Sequence, residues 1–242
     1  MEAWRLVVTW DAAPGFNMAL DEAFLRAGEP RPTLRFYTWR PDTLSLGYFQ
    51  RWADLAGQEQ AGAVVRRLTG GGAIHHAAEL TFSIAASAAH PLFQGEVRAS
   101  YERIHDALAA ALLPLGVAAA RRGERPVASD DPRSAMCFRH STAVDLVWNG
   151  AKGVGSAQRR TGGRVLHHGS IKIGTTPIEG PIATLGARVP DLDPRRLASL
   201  LETALAARWG ASFRREDPSP AELEHALARA SFYSSPAHLR RR

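Results

Sequence analysis

Residues 66–83 read RRLTGGGAIHHAAELTFS, and the reading of this stretch decides the fold. A short apolar run, Ala63-Val64-Val65, leads into Arg66 and Arg67. Gly70, Gly71 and Gly72 follow, then His75 and His76, then a second strand-like run from Leu80 to Ala85. Glycines between two strands let backbone approach a ligand closely, because no Cβ stands in the way. Arginines beside them add fixed charge and forked donors suited to a carboxylate, phosphate or carbonyl oxygen. The residues alone leave two readings open: a wall that wraps an acyl or phosphoryl group, or a glycine-rich hairpin with solvated arginines.

Working outward, Asn17 to Ala27 has helical spacing, with Met18, Leu20, Ala23, Phe24 and Leu25 on an apolar side, Pro14-Gly15 before it and Gly28 after it. Thr33–Trp39 and Thr43–Tyr48 read as strands joined across Arg40-Pro41-Asp42, and 54–62 as a short helix capped by Asp54. Ser100–Leu113 is an amphipathic helix ended by Pro114 and Gly116, and 119–135 is a long polar loop of the kind that is often functional. Thr142–Trp148 alternates as a strand, Asn149-Gly150 signals a hairpin, and Lys152–Arg159 returns. Thr161-Gly162-Gly163 turns into a strand over Arg164–Ile173. Helices are expected near Arg195–Trp209 and Ala221–Ala230. Antiparallel hairpins with scattered helices predict an α+β fold, with mixed, mostly antiparallel sheets flanked by helices, rather than a doubly wound one.

The chain has 242 residues, 45% hydrophobic and 22% charged, the composition of a globular enzyme. That length is enough for one large domain or two small ones, and the two expected C-terminal helices make a segment at about 190–235. No apolar run is long enough to span a bilayer, and the N-terminal stretch lacks a secretory pattern, so the expected location is cytoplasmic, with no membrane partner. Net charge is +6; Lys152 and Lys172 are the only lysines. A basic surface suits nucleic acid or an acidic protein, but no basic–aromatic stripe or zinc-finger spacing supports nucleic acid. A single cysteine, Cys137, excludes an intramolecular disulfide and a cysteine zinc cage.

The P-loop and dinucleotide fingerprints are absent. Cys137 and Lys152 are the candidate catalytic pair, 15 residues apart (152 − 137) across the 149–150 hairpin. A nearby cation stabilises a thiolate and makes it a nucleophile. Against this stands the ordinary reading of a lone cysteine as a small buried hydrophobe and of Lys152 as a hairpin lysine. Gly155, Ser156 and Ala157 leave room for a ligand or, alternatively, for a tight strand crossing. His75-His76 and His167-His168 do not make a metal site: adjacent strand residues face opposite ways, and no further ligands complete a set.

Taken in order, NMALDEAFL (17–25), LRFYTWRPDTLSLGYFQ (34–50), RRLTGGGAIHH (66–76), ELTFS (79–83), KGVGSAQ (152–158) and HHGSI (167–171) resemble the lipoate–protein ligase and octanoyltransferase superfamily, which shares its catalytic fold with biotin protein ligases. ELTFS, and Cys137-Phe138 ahead of Lys152, look like the cysteine–lysine octanoyltransferases. The resemblance implies that Cys137 accepts the acyl group and that Lys152 orients the acyl carbonyl and activates the thiol. It implies that Arg66, Thr69, Gly70, Gly71, Gly72 and His76 bind the acyl substrate together with Gly155, Ser156, Ala157, His168 and Gly169. It implies one catalytic domain over 1–242 with its core at about 4–180, an acyl carrier protein as donor and a lipoyl domain or a glycine-cleavage H-type protein as acceptor, with no cofactor. The alternative is an ATP-dependent lipoate ligase using ATP and Mg²⁺, with Cys137 incidental. A third reading is a non-catalytic acyl-binding protein on the same fold. The sequence departs from the family pattern at Ala77, where an acidic residue is usual after the histidine, at Gly72, the ligase-like choice, and at Gly153-Val154.

Overall fold

A computed structural model of the chain describes residues 1–55 and 60–241. Its spine is an eight-stranded mixed sheet. The sheet is built from β1 (Glu2–Ala12), β2 (Thr33–Trp39), β6 (Glu79–Ser87), β7 (Ala120–Arg121), β8 (Leu146–Trp148), β9 (Ala151–Thr161), β10 (Arg164–Lys172) and β11 (Ala211–Arg215). The strand order is β11-β1-β2-β6-β10-β9-β8-β7. A second sheet of three strands places β3 (Thr43–Leu46) between β4 (Ala63–Arg66) and β5 (Ile74–His76). β1 runs parallel to β2 and to β11, and β3 runs parallel to β4; the other pairings are antiparallel. The α+β expectation holds.

Strand alternation sorts the large sheet into two faces. Leu34 and Phe36 of β2 and Leu80, Phe82 and Ile84 of β6 join one core with α2 (Val97–Leu112) and α3 (Pro194–Trp209). Tyr37 and Ala85 face the other way, into a core with α1 (Pro14–Arg26) and α4 (Pro220–Ser234). Trp4 is 1% exposed and stacks on Trp209, which fixes β1 to the end of α3. Asp193 caps α3 through the amides of Arg195 and Arg196, and Ser219 and Glu222 form a capping box on α4. A short helix, α5 (Pro236–Leu239), closes against the small sheet.

The α1 face of the large sheet is polar as well as apolar. Asp21 is fully buried; its Oδ1 accepts from Arg35 at 2.8 Å and from Ser83 Oγ at 2.9 Å, and its Oδ2 accepts from Tyr37 OH at 3.0 Å and His168 Nδ1 at 3.3 Å. One carboxylate therefore ties α1 to three adjacent strands, β2, β6 and β10.

Several local expectations differ from what forms. Instead of a helix over 54–62 there is one 3₁₀ turn, Trp52–Leu55; residues 60–62 are not helical, and 56–59 lie outside the described residues. The strand expected from Thr142 begins only at Leu146, because the Thr142 amide and hydroxyl both donate to Asp145 Oδ2, at 2.7 and 3.0 Å, and fold 142–145 into a turn. The glycine triplet does not turn a hairpin: β4 and β5 pair with opposite edges of β3, not with each other. β1 and β11 carry no alternating signal in the sequence, because the first is continuously apolar over Leu6-Val7-Val8 and the second is short and arginine-rich.

Substituting Asp21→Asn leaves the Arg35 guanidinium charged, buried and unpaired, so the protein is expected to lose about 3–5 kcal/mol of stability. A urea titration reads this as a lower midpoint, and an unchanged midpoint would contradict the role given to the pair.

Candidate functional site

The connection from β4 to β5 is braced by Arg67. Its Nη1 donates to the carbonyl of Ser45 at 2.9 Å, and its Nη2 donates to the carbonyls of Gly70 and Gly72, each at 2.7 Å. Gly71 has φ +93°, a conformation that side chains rarely adopt, and a Cβ on Gly72 would lie 2.8 Å from the Cys137 amide nitrogen. The triplet is thus required by backbone approach: the Cys137 loop lies directly on Gly72, pinned by Cys137 N–H to Ala73 O at 2.7 Å and Ala73 N–H to Ala135 O at 2.9 Å. Among the described residues, the amides of Gly70, Gly71 and Gly72 have no protein acceptor.

Arg66, expected beside the ligand, is not brought there. Its side chain is 0% exposed and donates to the carbonyls of Gly47, Gln50, His238 and Leu239, fastening α5 to the loop after β3. The arginine that reaches the cavity is Arg67. Arg66 ends β4 and Arg67 follows it, so the two adjacent side chains point to opposite sides, and the sequence carried no sign of which would face inward.

Cys137 opens a single 3₁₀ turn, Cys137–Arg139, and is half-buried. Lys152 reaches it from β9: Nζ lies 3.5 Å from Cys137 Sγ, 3.1 Å from the Cys137 carbonyl, 3.0 Å from the His140 carbonyl and 2.9 Å from Asp145 Oδ2. Asp145, which the sequence did not single out, is as buried as the lysine. Burial pulls the Lys152 ammonium down, but negative charge on Cys137 and Asp145 more than offsets this and holds it above the ordinary lysine value.

Two cavities meet at Cys137. The inner one is a slot of about 30 Å³ walled by Met18, Tyr37, Trp39 and Ile74, with His76, His168 and Gly169. The outer one is an open cleft of about 630 Å³ reaching Phe49, Val97 and Arg98 at its rim, with Lys152 and Asp145 on its wall. Gly70, Gly71, Cys137, Ser156 and Ala157 line both, and Gly155 lines the slot. As it stands the slot has room for about one or two waters. A longer guest enters only if side chains such as the unbranched Met18 give way.

The paired histidines divide as strand alternation requires. His75 turns to Asp42 and Thr176, and His167 to Gln158, while His76 and His168 face the slot. His76 stacks on Trp39, with ring centroids 4.1 Å apart. Its Nδ1 donates to Glu79 Oε1 at 2.6 Å, so Nε2 accepts from Ser45 Oγ at 2.7 Å. The carboxylate absent at Ala77 is therefore supplied two residues on, by Glu79. Burial pushes His76 down to about 4, and Lys172 and Arg67 add to this. Lys172 lies beneath, fully buried, bonded to Glu79 and 2.8 Å from Glu179. His168 repeats the arrangement: Nδ1 donates to Asp21 and Nε2 accepts from Thr69 Oγ1 at 2.5 Å. Among the described residues no group of three or more His, Cys, Asp or Glu is placed to hold a metal ion.

The family model for the lipoyl protein ligase A/B catalytic domain matches residues 13–179. The chain belongs to that family. It is 46% identical over 181 residues to octanoyltransferase LipM of Moorella thermoacetica, covering 70% of this chain and 65% of that one. It is 42% identical over 189 residues to octanoyltransferase LipM of Kyrpidia tusciae, covering 73% and 68%. The chain thus spans about 65% of the length of the Moorella relative. Its fold is shared with lipoate-protein ligase A bound with ATP, at TM-score 0.77 and 23% identity over 99% of this chain and 98% of that one. No helix among the described residues is long and apolar enough to cross a membrane.

His76 has a folded pKa near 4, below its ordinary 6.5. The unfolded chain therefore binds the extra proton first as pH falls. Stability is full above about pH 6.5 and is lost toward pH 4, by on the order of 3 kcal/mol. Urea unfolding at pH 7.5, 5.5 and 4.5 is expected to show this slope in the wild type and a flatter one in His76→Phe. Equal slopes would show that His76 does not gain its proton on unfolding.

Proposed function

We propose that the chain transfers an octanoyl- or lipoyl-class acyl group from an acyl-carrier-protein thioester, through a Cys137 thioester, to a lysine of a lipoyl-type domain or an H-type protein, without ATP. The observation that carries this reading is the Lys152 ammonium, clamped by Asp145 and 3.5 Å from Cys137 Sγ where slot and cleft meet. A fixed cation at this distance is placed to stabilise the charge that passes between the sulfur and the acyl oxygen during transfer. The thiolate attacks the donor carbonyl carbon; the new C–S bond forms, the donor C–S bond breaks, and the carrier leaves as a thiol after taking a proton. The acyl tail lies in the slot once Met18 and its neighbours yield. The tetrahedral oxyanion is met by the amides of Gly70–Gly72 and by Lys152, and one such donor is worth about 3 kcal/mol. In the second half an acceptor lysine enters by the outer cleft, its amine forms the amide bond and Cys137 leaves as a thiol.

Two further features support transfer over ATP-dependent ligation. The guanidinium groups of Arg66 and Arg67 are directed at protein carbonyls, which leaves them as braces rather than as clamps for an acyl-adenylate. The relatives of highest identity given above carry the name octanoyltransferase. A net charge of +6 suits acidic carrier and acceptor domains.

Mixing the protein with octanoyl-carrier protein in the absence of ATP is expected to add one octanoyl mass, labile to hydroxylamine. Cys137→Ser should lose that hydroxylamine-labile adduct, and Lys152→Met should slow its formation at pH 7 by on the order of 100-fold. Acceptor modification that appears only with ATP and free acid would overturn the reading in favour of ligation, and no product under either condition would favour a binding protein.

A further inference from the structure

Ser156 lines both cavities and, among the described residues, is the one hydroxyl common to them. Behind it, on α2, lies His105, 0% exposed and lining neither cavity. His105 Nδ1 is 2.5 Å from the carbonyl of Val144, and its Nε2 is 2.7 Å from Ser156 Oγ. A carbonyl can only accept, so Nδ1 carries the hydrogen; burial pulls the imidazole below its ordinary pKa and keeps it neutral, so Nε2 is an acceptor. The Ser156 hydrogen therefore points away from the cavity into His105, and Ser156 meets an occupant with lone pairs alone.

We propose that Ser156 is the catalytic acceptor that receives an N–H of the incoming lysine amine, with His105 a positioning residue that holds the hydroxyl in that sense. The inference rests on the acyl-enzyme reading above. Lys152 and the glycine amides only donate, which suits an oxyanion and repels an ammonium. A neutral amine needs the opposite: an acceptor on one N–H, so that its lone pair is aimed at the thioester carbon. As the N–C bond forms and the C–S bond breaks, the nitrogen gives up one proton, which ends on the departing Cys137 sulfur. Ser156 keeps its own hydrogen throughout, because His105 Nε2 holds it. The first half-reaction, in which a thiolate attacks, has no N–H to place and makes no use of this acceptor.

The two halves can be timed separately on the full chain by single-turnover intact-mass measurements: octanoyl-carrier protein alone for acylation of Cys137, then addition of a lipoyl domain for transfer. Ser156→Ala is expected to lower the ratio of transfer rate to acylation rate at least ten-fold. His105→Phe frees the hydroxyl to turn and donate, and should reproduce that fall. His105→Gln can donate to Val144 and accept from Ser156, and should recover the ratio to within about three-fold of the wild type. A ratio unchanged in Ser156→Ala, or a fall in His105→Gln as large as in His105→Phe, would overturn the proposal while leaving the acyl-enzyme intact. Failure of the wild type to form the adduct would overturn the acyl-enzyme reading and this inference with it.

Discussion

The Asp21–Arg35 pair is the constraint on which the site depends. Both side chains are 0% exposed, and a charge so placed is tolerable only when it is paired and its remaining lone pairs are bonded. The bonds come from β2, β6 and β10. They therefore register α1 on the centre of the sheet and set the height of His168 at the slot. His168 in turn holds Thr69, the residue before the glycine triplet. A single carboxylate thus transmits the geometry of the sheet to the loop on which Cys137 lies. The same polar face explains why β2 and β6 do not read as simple amphipathic strands: Arg35, Thr81 and Ser83 are inward-facing and satisfied, not exposed.

One arrangement recurs around the cavities. His76, His168 and His105 each have one ring nitrogen on a group that accepts, Glu79, Asp21 or the Val144 carbonyl, and take a hydroxyl hydrogen from Ser45, Thr69 or Ser156 on the other. The hydroxyl hydrogens are used up inside the protein. Arg67 is spent in the same way, on carbonyls of the strand and the glycine connection. What remains to face an occupant near Cys137 is a separated set: donors from Lys152 and the glycine amides, and lone pairs from Ser156. A site built so distinguishes the ends of a polar guest, and the cation beside Cys137, Lys152, is already paired with Asp145.

The sequence disclosed the parts whose signal is local. Periodicity marked α1 and α2 to within three residues at each end, and Asn149-Gly150 and Gly162-Gly163 marked their turns, since positive φ there demands those residues. Cys137 and Lys152 were legible as a pair from their residue types and the family resemblance; the hairpin sets Lys152 opposite Val147, and Cys137 reaches it on a separate 3₁₀ turn. What stayed hidden depends on contacts between distant segments. Asp145 reads as one more acid in a polar run until the turn at 142–145 swings it under Lys152. His105 reads as a polar position on an amphipathic helix, and only the packing of α2 against β9 sets it behind Ser156. The choice between Arg66 and Arg67 hangs on one residue of register, which alternation fixes only once the partner strand is known.

Lys152 raises a question of selectivity that its surroundings answer. In the proposed transfer an acyl thioester would form within reach of this chain's own amine, and amide formation is downhill, so self-acylation would end the cycle. An amine attacks only through a free lone pair. The Lys152 nitrogen is kept protonated by Asp145 at 2.9 Å, a partner that stays when Cys137 is acylated and uncharged, and its hydrogens are directed at the carbonyls of Cys137 and His140. It can therefore stabilise charge at the reacting carbon and cannot become the nucleophile there. The acceptor lysine would meet a different environment: in that transfer it arrives through the open cleft beside Ser156, where the carboxylate on the wall, Asp145, is already paired with Lys152 and the hydroxyl oxygen offers lone pairs. Two lysines within one site are then assigned opposite roles by their neighbours alone, the buried one by a carboxylate that forbids it a lone pair, the incoming one by a hydroxyl oriented to leave that lone pair free.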